Sequence, residues 1–183
     1  VPRDRSGFTV WLTGISAAGK TTVGDLIAAE LGRRGLLVER LDGDVVRRHL
    51  TAGLGFDKAG RDANVKRVAW VASRLTRAGA AVVVSLISPY AEARRAAREL
   101  VEEHGAFVEV FADASLETCI ARDPKGLYAK ALRGEIKDFT AVSDPYEPPE
   151  RPEVHLHTDR DSPEEAAAQV LAHLEAAGLV RRA

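Results

Sequence analysis

An α/β fold, with a five-stranded parallel sheet covered by helices on both faces, is the architecture this sequence predicts, on three observations. Five short apolar runs recur along the chain, longer amphipathic stretches separate them, and a glycine-rich turn ending in Lys20-Thr21 joins the first run to the first such stretch. Strands buried on both faces read as near-continuous apolar runs, and helical crossovers between them impose parallel pairing.

The first run, GFTVWLT at 7–13, carries no charge and is rich in aromatic and β-branched residues, which suits a central strand. From Lys20 to Arg33, Val, Leu, Ile and Ala recur at three-and-four spacing, which predicts a helix. LLVERLD at 36–42 reads as the second strand, and the stretch from Asp62 to Ala78 as a helix. AAVVVSLIS at 80–88 is the third strand, followed by a helical stretch from Tyr90 to His104. AFVEVFAD at 106–113 and PEVHLHT at 152–158 complete the sheet, and Ser162 to Ala176 supplies the last helix. Between Ile136 and Glu153, Pro145, Pro148, Pro149 and Pro152 punctuate an irregular connection. A loop of that length inside a domain is generally functional or mobile.

At 183 residues the chain fits one domain, read here as 1–183 with a polar lead-in at 1–6. Its formal charge of −1 gives no overall pull toward nucleic acid or an anionic membrane, so any anion site has to be local. Neither a membrane-length apolar run nor a signal-type apolar core occurs, and a cytoplasmic setting is the expectation. The single cysteine, Cys119, excludes an intrachain disulfide and sits in an apolar helical context that predicts simple packing. His155 and His157 share one face of a strand, with no third ligand at metal spacing in the sequence, and read as structural.

The chemistry is concentrated in Gly14-Ile15-Ser16-Ala17-Ala18-Gly19-Lys20-Thr21-Thr22, which follows a strand and opens a helix. This is the complete P-loop pattern. Its glycines let successive backbone N–H groups face phosphates, and the helix start adds the positive end of its dipole. Lys20, expected to face solvent, would reach the β- and γ-phosphates of ATP, and the Thr21 hydroxyl would ligate Mg2+. A GTPase is disfavoured: Asp123-Pro124-Lys125-Gly126 mimics one of its motifs, but no NKxD segment occurs. The third run ends in Ser88, with no Walker-type aspartate, so Asp42 and Asp44 are the available carboxylates.

Beyond the P-loop, the chain carries LDGDVVR (41–47), GF at Phe56, GRDANVKR (60–67), ISPY (87–90), RDPKGLYAKA (122–131), and EIKDFT followed by DPYEPPERPE. In order and spacing, from about Gly7 to Glu165, these resemble the adenylylsulfate kinases. The resemblance implies a P-loop NTPase fold and transfer of the γ-phosphoryl group of ATP, with Mg2+, to the 3′-hydroxyl of adenosine 5′-phosphosulfate. It implies Asp44 beside the acceptor hydroxyl and metal, where a cap on a helix starting at Val45 is the competing role. Asp42, Arg47, Arg61, Asn64, Ile87 and Ser88 would line the acceptor, with Ser88 the residue proposed in the family as a phosphoserine. Phe56 and Phe139 would sandwich the acceptor adenine, with anchoring of a loop as the alternative. Arg122 would lie near the ATP adenine, and Lys125, Gly126, Leu127 and Lys137 would belong to a lid spanning about 122–150. A homodimer is implied, and fusion to or association with ATP sulfurylase is compatible with the resemblance. Departures are Ala17 and Ala141, where the family usually has glycine, and Gly60 and Ala63, where it usually has acids. A kinase for another small acceptor and a non-catalytic nucleotide-sensing domain compete with this reading; the first would not need the aromatic and arginine set, and the second would not need Lys20, Thr21 and Asp44 intact.

Overall fold

An uncharged six-residue run can be buried on both faces, and β1 (Phe8–Thr13) is buried at every position in the computed structural model, which describes residues 7–181. The 1–6 lead-in lies outside the described residues. With β2 (Val38–Asp42), β3 (Ala81–Ser85), β4 (Ala106–Asp113) and β5 (Val154–His157), it forms an all-parallel sheet of order β2-β3-β1-β4-β5. The five strands and their parallel pairing agree with the sequence reading. The third strand closes at Ser85, three residues before Ser88.

Strand alternation sorts the core into two layers. Val10 and Leu12 pack with Val23, Ile27 and Leu31 of α1 (Lys20–Arg33) and with Val170 and Leu174 of α7 (Pro163–Ala176). Trp11, Val82 and Val84 pack on the other face against Val65, Val68 and Ala72 of α3 (Lys58–Arg77) and Val101 of α4 (Ala91–Glu102). Each fully buried Val, Leu or Ile among these contributes about 1.5–3 kcal/mol. The polar Thr9 is satisfied inside by a 2.8 Å hydroxyl contact to Thr76.

Three short helices complete the chain: α2 (Gly43–His49), α5 (Leu116–Arg122) and α6 (Leu127–Leu132). Helix α3 starts at Lys58, earlier than the periodicity indicates, because the Asp57 side chain accepts the Gly60 N–H and caps it. Helix α7 opens on a full capping box of Ser162 and Glu165. A third cluster, with Ile15, Ala18, Cys119, Tyr128 and Phe139, fills the space beneath the P-loop; Cys119 is packed there as expected. No described helix is long and apolar enough to cross a membrane. The carboxyl ends of the parallel strands bring Gly14, Asp42, Ser88 and Thr158 to one rim, the ligand edge of an open α/β sheet.

Candidate functional site

The P-loop is shaped by steric necessity at Gly14, whose φ is 152° and where an added Cβ would stand 2.4 Å from the Ala112 carbonyl oxygen. Gly19, with a φ of 86°, turns the chain into α1 at Lys20. Lys20 is buried, contrary to the solvent-facing position expected for it: its Nζ donates to the Ile15 carbonyl at 2.7 Å, inside the arch of its own loop. Burial pushes its pKa down to about 8, against smaller opposing effects from Asp42 and Asp44.

Asp42 caps α2 by accepting the Asp44 N–H at 3.0 Å, and its other oxygen accepts the Thr21 hydroxyl at 2.8 Å. The helix starts at Gly43, so the capping role belongs to Asp42 and leaves the Asp44 carboxylate at the rim, paired with Lys125. These groups stand between two clefts that share Ser16, Ala17, Lys20, Thr21, Asp44 and Lys125.

One cleft opens toward Gly19, Thr22, Arg122, Thr158 and Asp161. Arg122 lies across its wall, donating to the Thr158 carbonyl at 2.6 Å and the Ala17 carbonyl at 3.3 Å. The other is lined by Asp42, Arg47, Phe56, Arg61, Asn64, Ile87 and Ser88. Here two guanidinium groups approach the exposed Phe56 ring, that of Arg47 at 4.4 Å and that of Arg61 at 5.7 Å from its centroid. Arg61 is buried and donates to the carbonyls of Phe56 at 2.6 Å and Asp138 at 2.7 Å, with Asp144 at 3.8 Å. Arg47 donates to the Leu54 and Gly55 carbonyls. Burial lowers the pKa of both, and Arg61 lowers that of Arg47 further. Two desolvated cations side by side favour an anion between them. Asn64 accepts the Thr51 hydroxyl at 2.7 Å, which fixes its amide at the cleft floor.

Ser88 is held at a φ of 40° with its hydroxyl accepting the Trp11 indole N–H at 3.1 Å. Phe139 is buried in the cluster beneath the P-loop, edge-on to Tyr128 with centroids 5.0 Å apart, and does not line the cleft of Phe56. Gly126 precedes and Leu127 begins α6, and the exposed Lys137 follows it; all three lie outside both clefts, and of the basic residues at 122–150 only Lys125 reaches the cleft of Phe56.

The sequence reading missed four residues that hold the site together. Arg94, almost fully buried, donates to Glu109 at 3.0 Å, to the Ser88 carbonyl at 2.8 Å and to the Glu147 carbonyl at 2.6 Å. Tyr128 donates to the Ser16 carbonyl at 2.9 Å, and Thr158 to the Ala18 carbonyl at 2.9 Å. Asp144 accepts the Tyr90 hydroxyl at 2.6 Å. Thr158 carried a positional signal at the end of a strand, and Tyr128 and Asp144 stood inside the RDPKGLYAKA and DPYEPPERPE segments; Arg94 carried none.

The sequence profile of the family described as Adenylylsulphate kinase matches residues 6–157. The adenylyl-sulfate kinase of Halothermothrix orenii is 50% identical over 178 residues, covering 97% of this chain and 95% of the relative. A probable bifunctional SAT/APS kinase of Sorangium cellulosum is 48% identical over 97% of this chain and 30% of its own length. Among solved structures, the Mycobacterium tuberculosis APS kinase CysC in complex with AMPPNP and APS superposes with a TM-score of 0.90 at 44% identity, over 93% of this chain and 99% of that one.

Proposed function

The chain belongs to the adenylylsulphate kinase family, and from that premise we propose that it transfers the γ-phosphoryl group of ATP to the 3′-hydroxyl of adenosine 5′-phosphosulfate. The observation that carries this reading is the meeting of two clefts on one set of groups, Lys20, Thr21, Asp44 and Lys125. A phosphoryl group moving from one bound molecule to another crosses such a junction, and its transfer needs chiefly positioning and charge neutralisation.

ATP occupies the cleft of Gly19, Thr22 and Arg122, its phosphates against the P-loop amides of residues 14–19. The phosphates draw Lys20 away from the Ile15 carbonyl and favour its charged form, against the burial that lowers its pKa. The acceptor lies on Phe56, with Arg47 and Arg61 neutralising the phosphosulfate and Asn64 and Ile87 bounding the nucleoside. Asp44 orients the 3′-hydroxyl and accepts its proton after Lys125 has released the carboxylate to pair with phosphate. Thr21, Asp42 and Asp44 present only hard oxygen atoms, a donor set that fits Mg2+, with Thr21 and Asp44 as holders. When bound, Mg2+ neutralises charge on the β- and γ-phosphates. Ser88 belongs to this rim as a positioned hydroxyl; direct transfer requires no covalent step there. A homodimer and association with ATP sulfurylase extend the reading on family grounds.

ADP release with ATP, Mg2+ and a panel of acceptors tests the proposal. Adenosine 5′-phosphosulfate alone should stimulate it; equal stimulation by AMP, a nucleoside or a sugar acid would refute the acceptor assignment, and no stimulation by any acceptor would favour the nucleotide-sensing reading.

A further inference from the structure

His155 and His157 are two residues apart on β5 and so project from the same face. The intervening Leu156 and the preceding Val154 point the other way, into the layer formed by α1 and α7. The third ligand that the linear sequence does not offer comes from the adjacent strand. In the β4–β5 register Asp113 stands opposite His157 and Phe111 opposite His155. One ligand atom from each of Asp113, His155 and His157 lies within 4.8 Å of the others, and His155 Nε2 is 2.9 Å from an Asp113 oxygen. The two imidazole rings are 4.6 Å apart, and Phe111 packs under His155 at 5.0 Å, itself stacked on Tyr146 at 6.0 Å.

We propose that Asp113, His155 and His157 form a binding site for a divalent transition ion of the zinc class. Two imidazole nitrogens and one carboxylate oxygen suit Zn2+, Co2+ or Ni2+ far better than Mg2+, which prefers oxygen donors. Three protein ligands leave a coordination position for water, as in open zinc sites. Strand pairing fixes the backbone positions from which the three side chains project, and the Phe111 ring packs against His155, so side-chain rotation can bring ligand atoms that now lie within 4.8 Å of one another onto one ion. The site is separate from Thr21 and Asp44 but adjoins the nucleotide cleft. Thr158, the next residue after His157, donates its N–H to the Asp113 carbonyl at 2.8 Å and its hydroxyl to the P-loop.

Calorimetric titration of the chelator-treated protein with Zn2+, carried out in excess Mg2+, tests this, with visible absorption of Co2+ as a second readout of coordination. One ion per chain is expected, and Zn2+ should displace Co2+. His155→Ala, His157→Ala and Asp113→Asn should each weaken binding by at least about tenfold, since loss even of an outer-sphere partner typically costs 10- to 100-fold. His173→Ala, on α7, should leave it unchanged. Zn2+ should also raise the Tm of the parent protein by mass action and leave that of the double variant His155→Ala/His157→Ala unmoved. Melts without metal establish that the variants are folded. Absence of binding, or binding that survives all three single substitutions, would overturn the assignment and reduce the contact of His155 with Asp113 to an ordinary surface hydrogen bond.

Discussion

Ala141 adopts a φ of 69° and Ala17 a φ of 60°, left-handed conformations that a Cβ disfavours. Both are positions where the adenylylsulfate kinases usually carry glycine. At Ala141 the strain of about 1–2 kcal/mol exceeds the roughly 0.5–1 kcal/mol of extra chain entropy that glycine loses on folding. Ala141→Gly should therefore raise stability by about 0.5–1 kcal/mol, or roughly 1–4 °C in Tm. Lys20 offers a proton-linked test. Its pKa of about 8 lies below the unfolded value of 10.5, so the unfolded chain binds more protons between those values and this lysine's contribution to stability rises with pH across that window. Phosphates favour its charged form, so ATP binding at about pH 8.5 should take up protons, detectable by calorimetry in buffers of different ionisation enthalpy, and uptake should vanish at about pH 6.5 and in Lys20→Ala. The two phenylalanines should part company. Phe56→Ala should weaken adenosine 5′-phosphosulfate binding by about 1–3 kcal/mol with an unchanged melt. Phe139→Ala, which empties a place beside Tyr128, should cost about 3–5 kcal/mol of stability in a urea titration.

Among the elements, α4 holds more of the site than its composition discloses. Arg94 ties the helix to the Ser88 carbonyl, to Glu109 on β4 and to the Glu147 carbonyl in the proline-rich connection. Removing one partner of a buried ion pair leaves the other charge uncompensated. Arg94→Ala should cost about 3–5 kcal/mol on chemical denaturation and lower kcat by loosening Ser88, with ATP affinity retained. Such a residue is invisible in AEARRAAR, where any of three arginines fits a solvated face equally well. The strands were legible because uncharged runs separated by amphipathic stretches have few other solutions, and the P-loop because its spacing and flanking elements coincide. The helices α2, α5 and α6, of seven, seven and six residues, are too short to establish a period. Phe139 was ambiguous for a different reason: a ring that can stack on a base can equally fill a core, and its place beside Tyr128 depends on the tertiary fold.

Across the whole molecule, a formal charge of −1 coexists with a rim where Lys20, Arg47, Arg61 and Lys125 outnumber Asp42 and Asp44, so attraction of the anionic substrates is a local field and not a property of the protein's total charge. The same economy of placement governs the sheet. Its central strand, β1, comes first in the chain and pairs with β3 and β4, never with its sequence neighbour β2. During synthesis this fully buried central strand therefore leaves the ribosome with neither partner yet made, and stays unpaired until residues 81–85 and then 106–113 have emerged. At about 5–20 residues per second, that interval is several seconds of exposure for Phe8, Val10, Trp11 and Leu12. Nascent chains arrested before residue 81 should be protease-sensitive and bound by chaperones, whereas those extended past β4 should acquire protection. The strand that anchors the P-loop should thus also be a segment through which the newborn chain depends on assistance.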